Sequence, residues 1–369
     1  MLLRNSRVPG LLIVLLCFVA IAYPQQAAVG QSSTATPPQT QTKESQSPAS
    51  PSPTSQPPAS SAQGQSNQIQ PPNAHAQSTE DKDQGSTDSG VFVFKKEVEE
   101  VVVHATVMDD KNHLVTTLDK SAFTIFENNQ QQTIASFRHE DIPVAMGIVI
   151  DNSGSMREKR DKVNKAALNL VRSSNPQDQV FVVNFNDEYY LDQPFTNSIN
   201  KLSEALEKVE ARGGTALYDA IVASSEYMKK NSKLQKKVLF VVTDGEDNAS
   251  RESLEETVRR LQDENGPTVY AIGLLGDERA RRARRALETI AQRTGGIVYL
   301  PRTLDEVDQI SSSVAHDIRN QYTIGYKPTT PKSAGGYRAI RVEAKAKGYG
   351  KLVARTRSGY YPGQESAPQ

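Results

Sequence analysis

The sequence predicts a doubly wound α/β fold with a mostly parallel sheet and a small flanking antiparallel β module. Between residues 143 and 320, short uninterrupted apolar runs alternate with segments whose apolar residues recur at helical spacing. Such runs are typical of strands that are buried on both faces of a parallel sheet. On either side of this region, β-branched runs alternate with turn residues, and no segment has the length of a helix.

Length and charge restrict the classes of function. The chain has 369 residues, of which 37% are hydrophobic, enough for one large core with a smaller one attached. It carries 43 basic and 43 acidic side chains, so its formal net charge is zero. A neutral chain has no overall attraction to nucleic acid or anionic lipid, and we expect no nucleic-acid partner.

The first 22 residues have the pattern of a secretory signal peptide. Arg4 and Arg7 precede an apolar run, Leu11 to Ala22, which ends in the small-residue pattern that signal peptidase recognises. The run is shorter than the roughly 20 residues that span a bilayer, so a retained membrane anchor is the less favoured alternative. We therefore expect a secreted, periplasmic or cell-envelope protein without a membrane span after cleavage. Cleavage would also remove Cys17, the sole cysteine, and with it any disulfide or thiolate ligand.

Residues 23–90 are predicted to be a disordered linker. They are rich in Ser, Thr, Pro and Gln and contain almost no large apolar side chain. Such a segment cannot bury enough surface to offset the entropy of ordering. A Pro-rich recognition motif is the alternative, and residues 362–369 are predicted to be a disordered tail.

The two flanking regions are predicted to form β segments that pair with each other. In residues 91–142, the strand patterns are Val91–Phe94, Glu97–Val107, Phe123–Phe126 and Thr133–Phe137. Turn residues follow Val107, which predicts a hairpin there. In residues 321–361, the strand patterns are Tyr322–Tyr326, Tyr337–Ala344 and Lys351–Tyr361.

Residues 143–320 contain the alternating elements. The predicted strands are Val144–Ile150, Val180–Asn184, Tyr189–Leu191 (a short edge strand), Val238–Val242, Thr268–Gly273 and Ile297–Leu300. The predicted helices are Glu158–Val171, Ile199–Val209, Ala216–Met228, Ser253 to about Glu264, Arg279–Arg293 and Thr303 to about Arg319. Two of these helices begin with the spacing of a capping box, Ser253 with Glu256 and Thr303 with Glu306.

Acidic side chains follow two of the buried strands. Asp151 ends the first strand, and Asp244 follows the strand Val238–Val242. In the usual doubly wound strand order these strands are neighbours, so both acids face one crevice at the carboxyl edge of the sheet. Hydroxyl groups are expected at the same place, and together these residues supply five oxygen donors: Asp151, Ser153, Ser155, Thr215 and Asp244.

This donor set favours Mg²⁺, a hard cation that prefers oxygen ligands and retains several waters. Mn²⁺ and Ca²⁺ are the alternative ions. An acid that only caps a helix would explain Asp151 but not the other four residues. Asn152, Glu246 and Asp247 are predicted to be loop surface and not ligands.

The pattern Asp151-x-Ser153-x-Ser155, Thr215 and Asp244-Gly245 resembles the metal-ion-dependent adhesion site (MIDAS) of von Willebrand factor type A (VWA) domains. The resemblance implies a Rossmann-like VWA fold over about 143–320. It also implies that the three hydroxyls coordinate an ion, with the two acids acting directly or through water. The flanks are similar to bacterial secreted VWA-related proteins.

Two classes of function follow from these residues. The favoured one is a secreted or periplasmic module that binds a protein partner through a Mg²⁺-bridged Asp or Glu carboxylate of that partner. The alternative is a metal-dependent hydrolase or phosphatase that uses the same strand-end site. A dehalogenase-like phosphatase needs a second acid where Ser153 stands, and no histidine follows the pattern of a hydrolase base. We therefore expect no enzyme.

If the signal segment is cleaved after Ala22, the mature chain begins near Tyr23. The intact mass of the protein isolated from its source should correspond to that start. A full-length mass from an envelope fraction would indicate a retained anchor instead.

Overall fold

The computed structural model describes residues 100–275 and 280–363. The predicted signal peptide, the predicted linker, the predicted strand Val91–Phe94 and residues 364–369 of the predicted tail lie outside this part of the chain. Within the described residues, every helix is too short or too polar to span a bilayer.

Strands and helices alternate through the middle of the chain and give way to strands at both ends. The strands are β1 (Val101–Met108), β2 (Phe123–Glu127), β3 (Gln130–Gln132), β4 (Ile134–Arg138), β5 (Val144–Asp151), β6 (Gln179–Phe185), β7 (Tyr189–Thr196), β8 (Lys236–Thr243), β9 (Thr268–Gly273), β10 (Val298–Tyr299), β11 (Tyr322–Tyr326), β12 (Arg338–Ala344), β13 (Val353–Arg355) and β14 (Gly359–Tyr360). The helices are α1 (Arg160–Arg172), α2 (Ile199–Glu207), α3 (Leu217–Asn231), α4 (Leu254–Leu261), α5 (Arg281–Thr294) and α6 (Glu306–Arg319).

The central sheet has the strand order β10-β9-β8-β5-β6-β7. All neighbouring strands are parallel except the edge strand β7, which runs antiparallel to β6. The predicted fold class is therefore confirmed, and the chain reverses its direction of winding at β5. Ile150 of β5 lies opposite Val242 of β8, so these two strands end side by side.

Helices cover both faces of this sheet. Met146, Ile148 and Ile150 of β5 share one core with apolar side chains of α1, α2 and α6. Ala145 and Val149, on the opposite face, share a second core with side chains of α3, α4 and α5. Every residue of β5 is buried, which explains its uninterrupted apolar sequence.

Gly147 permits close packing at the centre of β5. A Cβ atom at this position would lie 2.4 Å from the ring of Phe181 and 2.6 Å from the side chain of Leu239. Those side chains belong to the two neighbouring strands, so the sheet excludes any larger residue here.

The flanking strands form two four-stranded sheets, with orders β13-β1-β11-β4 and β14-β12-β2-β3. Each sheet combines strands that precede the central sheet with strands that follow it. Apolar side chains from both sheets enclose a third core. Val103 and Ile324, for example, are paired across β1 and β11 and are both fully buried.

Two predictions about these strands hold only in part. The hairpin after β1 is short: an antiparallel bridge joins Met108 and Leu114, and the Val115 N–H donates to the carbonyl of Val107 at 2.9 Å. Most of β1 pairs with β11 and β13. The predicted strand Lys351–Tyr361 is split into β13 and β14. Gly359, at the start of β14, has φ of +157° and approaches the carbonyl of Arg338 so closely that a Cβ atom would lie 2.3 Å from it.

The predicted capping boxes had different outcomes. The Ser253 side chain accepts a hydrogen bond from the Glu256 N–H at 3.2 Å and caps α4, which ends at Leu261, earlier than predicted. Asp305, not Thr303, precedes the first residue of α6. A turn forms before that helix, because the Glu306 N–H bonds to the carbonyl of Thr303 at 3.3 Å.

A buried ion pair joins the N-terminal and C-terminal strands inside the β module. The carboxylate of Glu127 and the guanidinium of Arg338 are each 1% exposed and lie 3.7 Å apart. The hydroxyls of Tyr326 and Tyr360 donate to the same carboxylate at 2.5 and 3.0 Å. Burial and this carboxylate raise the pKa values of both tyrosines, so both remain neutral donors.

Replacing Arg338 with Met should lower the free energy of unfolding by about 3 kcal/mol or more, because Glu127 would remain buried without its cation. Urea unfolding measures this loss. Arg341→Met is the matched control, since Arg341 lies on the same strand but is half exposed; it pairs with Glu343 and lies over the ring of Phe126, so its loss should cost less than about 1 kcal/mol. Equal losses in the two variants would contradict a role for the buried pair.

Candidate metal centre

The five predicted ligands lie at the carboxyl edge of the central sheet. Asp151 is the last residue of β5, and Asp244 directly follows the neighbouring strand β8. Ser153 and Ser155 lie in the loop between β5 and α1, and Thr215 lies just before α3. Parallel pairing thus brings Asp151 and Asp244 to one edge of the sheet, and loop hydrogen bonds place Thr215 beside them.

Three of the five side chains form a continuous chain of oxygen contacts. The Oγ atoms of Ser153 and Ser155 are 3.2 Å apart. The Ser155 hydroxyl donates to Oδ1 of Asp244 at 2.8 Å. An octahedral Mg²⁺ site with metal–oxygen distances of about 2.1 Å places neighbouring ligand oxygens about 3.0 Å apart. The two hydrogen-bonded distances are close to this spacing, so an ion could replace these hydrogen bonds with little movement of the oxygens.

Asp151 is 0% exposed, and the protein itself engages both of its carboxylate oxygens. Oδ1 accepts the N–H of Ser153 at 2.7 Å, and Oδ2 accepts the hydroxyl of Thr243 at 2.6 Å. Burial raises the pKa of Asp151, the negative charge of Asp244 adds to this increase, and the two hydrogen bonds oppose it. A cation beside this carboxylate would offset the unfavourable burial of its charge.

Thr215 is held against the Asp244 loop through its main chain. Its N–H donates to Oδ1 of Asn248 at 2.9 Å, and its carbonyl accepts the Asn248 N–H at 3.0 Å. The Thr215 hydroxyl lies beside Gly245, where a Cβ atom would be only 3.3 Å from Oγ1. The hydroxyl of Thr215 therefore lies next to the Asp244 loop, and Asn248 is a positioning residue that the sequence pattern did not indicate.

The glycine loop before Thr215 connects to the Ser153 loop through the main chain. The Gly154 N–H donates to the carbonyl of Gly213 at 3.2 Å, and the Arg212 N–H donates to the carbonyl of Asn152 at 2.8 Å. Gly213 has φ of +76°, a conformation that favours glycine. These bonds fix the distance between the two hydroxyl-bearing segments.

The donor set fits a hard cation better than a soft one. Within residues 100–275 and 280–363, no group of three or more His, Cys, Asp and Glu side chains is arranged to hold a metal ion. The site offers two carboxylates and three hydroxyls, a weakly charged set suited to an ion that retains water, such as Mg²⁺.

Residues 146–246 match the family model of the von Willebrand factor type A domain. All five predicted ligands fall within the matched residues. This part of the chain is a VWA-type domain. A curated relative, an uncharacterized protein of Synechocystis sp., is 24% identical over 162 residues. That match covers 43% of this chain and spans only 38% of the relative's length.

Three solved structures are similar to parts of this chain. The von Willebrand factor type A protein from Catenulispora acidiphila is 14% identical, and the match covers 74% of this chain and 76% of that protein, with a TM-score of 0.43. The PilB minor pilin from Streptococcus sanguinis is 15% identical, and the match covers 52% of this chain and 64% of the pilin, with a TM-score of 0.39. The vWF domain of the type V pili tip protein Mfa5 from Porphyromonas gingivalis is 13% identical, and the match covers 48% of this chain and 97% of that domain, with a TM-score of 0.40.

Asn152 was predicted to lie on the loop surface, and this prediction is wrong: the residue is 1% exposed. Its side-chain amide donates to Oδ1 of Asn184 at 2.7 Å, and its carbonyl Oδ1 accepts from Arg160. Arg160 also donates to the carbonyl of Leu206 at 2.6 Å. The polar side chain is buried because these partners satisfy it, and the network anchors the loop that carries the two serines.

Glu246 and Asp247 are partly buried loop residues. Glu246 forms an ion pair with Arg282 at 3.2 Å. Asp247 accepts the Tyr218 N–H at 3.0 Å and so caps α3, the helix that follows Thr215.

Lys159 is the residue at the centre that sequence reasoning missed. Its ammonium group forms an ion pair with Oδ2 of Asp244, whose side chain is 1% exposed. Lys159 precedes α1 in a surface-like, charged stretch, so only the fold shows that its side chain turns toward the acids.

Proposed function

We propose that the VWA-type domain is a protein-binding module that uses a bound Mg²⁺ ion to engage an Asp or Glu carboxylate of its partner. The proposed ligands, direct or through water, are Asp151, Ser153, Ser155, Thr215 and Asp244. The observation that carries the proposal is the contact chain Ser153–Ser155–Asp244, which places three oxygen donors side by side at distances close to an octahedral edge.

The charges at the site support an anionic partner group. Asp151 and Asp244 are the only charged members of the proposed ligand set, so a divalent ion is at most formally neutralised and retains exchangeable water. A carboxylate from outside can replace that water. A contact this small supplies orientation and specificity, while the surrounding loops must supply most of the buried area.

The hydrogen bonding at the site does not fit a serine hydrolase. The described donors to the two carboxylates are Ser153, Thr243, Ser155 and Lys159, so no imidazole is placed there as a general base. The described histidines lie elsewhere in the fold, on β1, in the two loops after β1 and β4, and on α6 (His104, His113, His139 and His316).

The signal-like first segment supports a location outside the cytoplasm. We infer that the module acts as a secreted, periplasmic or envelope protein, tethered by the Ser/Thr/Pro/Gln-rich residues 23–90.

Mg²⁺ should raise the melting temperature of the purified protein, because an ion that binds only the folded state stabilises it by mass action. At an ion concentration of about 100 times Kd, the stabilisation is about 2.7 kcal/mol. Differential scanning calorimetry with Mg²⁺ or with chelator measures the shift. Asp244→Ala should remove most of it, whereas Glu246→Ala, an acid on the same loop outside the proposed set, should keep it. A wild-type protein indifferent to millimolar Mg²⁺ and Mn²⁺ would rule out the proposed centre.

The partner should depend on the ion and on a carboxylate of its own. A partner recovered by pull-down from the source cell's envelope should be released by chelator, and Thr215→Ala should weaken its binding without unfolding the domain. Thr289→Ala is the control, since that hydroxyl donates within α5, to the carbonyl of Arg285 at 2.7 Å, away from the candidate centre.

In the recovered partner, replacement of one Asp or Glu by its amide should reproduce the loss that Thr215→Ala causes. Binding that resists chelator, Thr215→Ala and every such replacement would show that the partner uses another face.

A further inference from the structure

Lys159 is held at the candidate centre by its main chain and not only by its charge. Its N–H donates to the carbonyl of Met156 at 2.9 Å, and its own carbonyl accepts the Val163 N–H at 3.1 Å, the first turn of α1. The side chain then reaches from this fixed point to Asp244. It is 29% exposed, so its ammonium group lies at the boundary between the buried carboxylate and solvent.

The four carboxylate oxygens of the centre all have a partner within the chain. Asp151 accepts from the Ser153 N–H and the Thr243 hydroxyl. Asp244 accepts from the Ser155 hydroxyl and the Lys159 ammonium group. Lys159 supplies the one cation among these four donors. Two negative charges and one positive charge leave a net charge of −1 in this arrangement.

We propose that Lys159 is a tethered cation that competes with the divalent ion for Asp244 and thereby sets the ion affinity of the centre. The inference rests on the proposed function and adds a form of regulation to the same site. The proposed ion would contact Oδ1 of Asp244, beside Ser155, while the ammonium group of Lys159 holds Oδ2 of the same carboxylate. Two cations on one carboxylate repel each other strongly, because a carboxylate that is 1% exposed is little screened by water. Ion binding therefore opposes the Lys159 contact and favours its departure.

The lysine side chain has a route by which to leave. Its flexible four-carbon stem is partly exposed, so the ammonium group can move into water, where it is strongly hydrated. When the ion departs, the ammonium group returns and neutralises a carboxylate that would otherwise remain buried and unpaired. Lys159 would thus keep the ion-free domain folded and make ion binding reversible.

The test compares full-length wild type with Lys159→Met in calorimetric titrations with Mn²⁺ and with Mg²⁺. Lys159→Met should bind each ion at least tenfold more tightly, and its melting temperature in chelator should fall below that of wild type. Lys162→Met is the matched control: it lies on α1, and its ammonium group pairs with an exposed carboxylate, that of Asp305. It should bind with wild-type affinity.

Three further variants keep the test decisive. Lys159→Gln removes the charge but retains a hydrogen-bond donor to Asp244, so it serves if Lys159→Met does not fold in chelator, and it should also bind more tightly. Lys159→Arg retains a cation and should retain weak binding. The double variant Lys159→Met, Asp244→Ala should bind no ion, which places the gain in affinity at Asp244.

The outcomes separate the two proposals. Equal affinity in wild type, Lys159→Met and Lys159→Gln would overturn the competition while leaving the metal centre in place. No binding in any variant would overturn the metal centre itself. Binding by Lys159→Met but not by wild type would support the competition in its strongest form and overturn ion-dependent partner binding by the natural chain.

Discussion

The pairing of β5 with β8 is the constraint on which the candidate centre depends. Seven consecutive residue pairs, from Val144 with Lys236 to Ile150 with Val242, align the two strands so that Asp151 and Asp244 emerge together. A slip of one residue would turn the side chains of either strand to the opposite face. Because both faces are buried under helices, any such slip would disrupt two cores at once. The register that stabilises the sheet is therefore also the register that assembles the centre.

The flanking β module connects the two ends of the central region of the chain. β4 leads into β5 and α6 leads into β11, while β4 and β11 pair with each other, so the module holds together the two points at which the chain enters and leaves the central region. Asp317 of α6 links the parts further, since it accepts both the hydroxyl of Tyr270 and the guanidinium of Arg355, each at 2.5 Å. These contacts join the central sheet, its last helix and the module into one structure.

The sequence predicted those parts whose physical signal is local. Uninterrupted apolar runs identified the central strands, and strand-end acids with nearby hydroxyls identified residues that the fold brings to one edge. Prediction failed where a long-range contact decides the outcome. Asn152 is buried because Asn184 and Arg160, from other segments, satisfy its amide. Lys159 turns inward because Asp244 lies beside it, a fact that no spacing along the chain expresses.

The two buried carboxylate clusters in this protein differ in how their charges are balanced. Glu127 faces the guanidinium of Arg338 and two tyrosine hydroxyls, so its single charge is balanced by groups that have no route to solvent. Beside Asp151 and Asp244 stands one ammonium group, that of Lys159, which contacts Asp244 and is partly exposed on a flexible stem. The first cluster has no unbalanced charge and no exchangeable partner, which is the condition for a structural role. The second has two carboxylates and one partly exposed cation, and the proposed binding and release of a divalent cation rest on that imbalance.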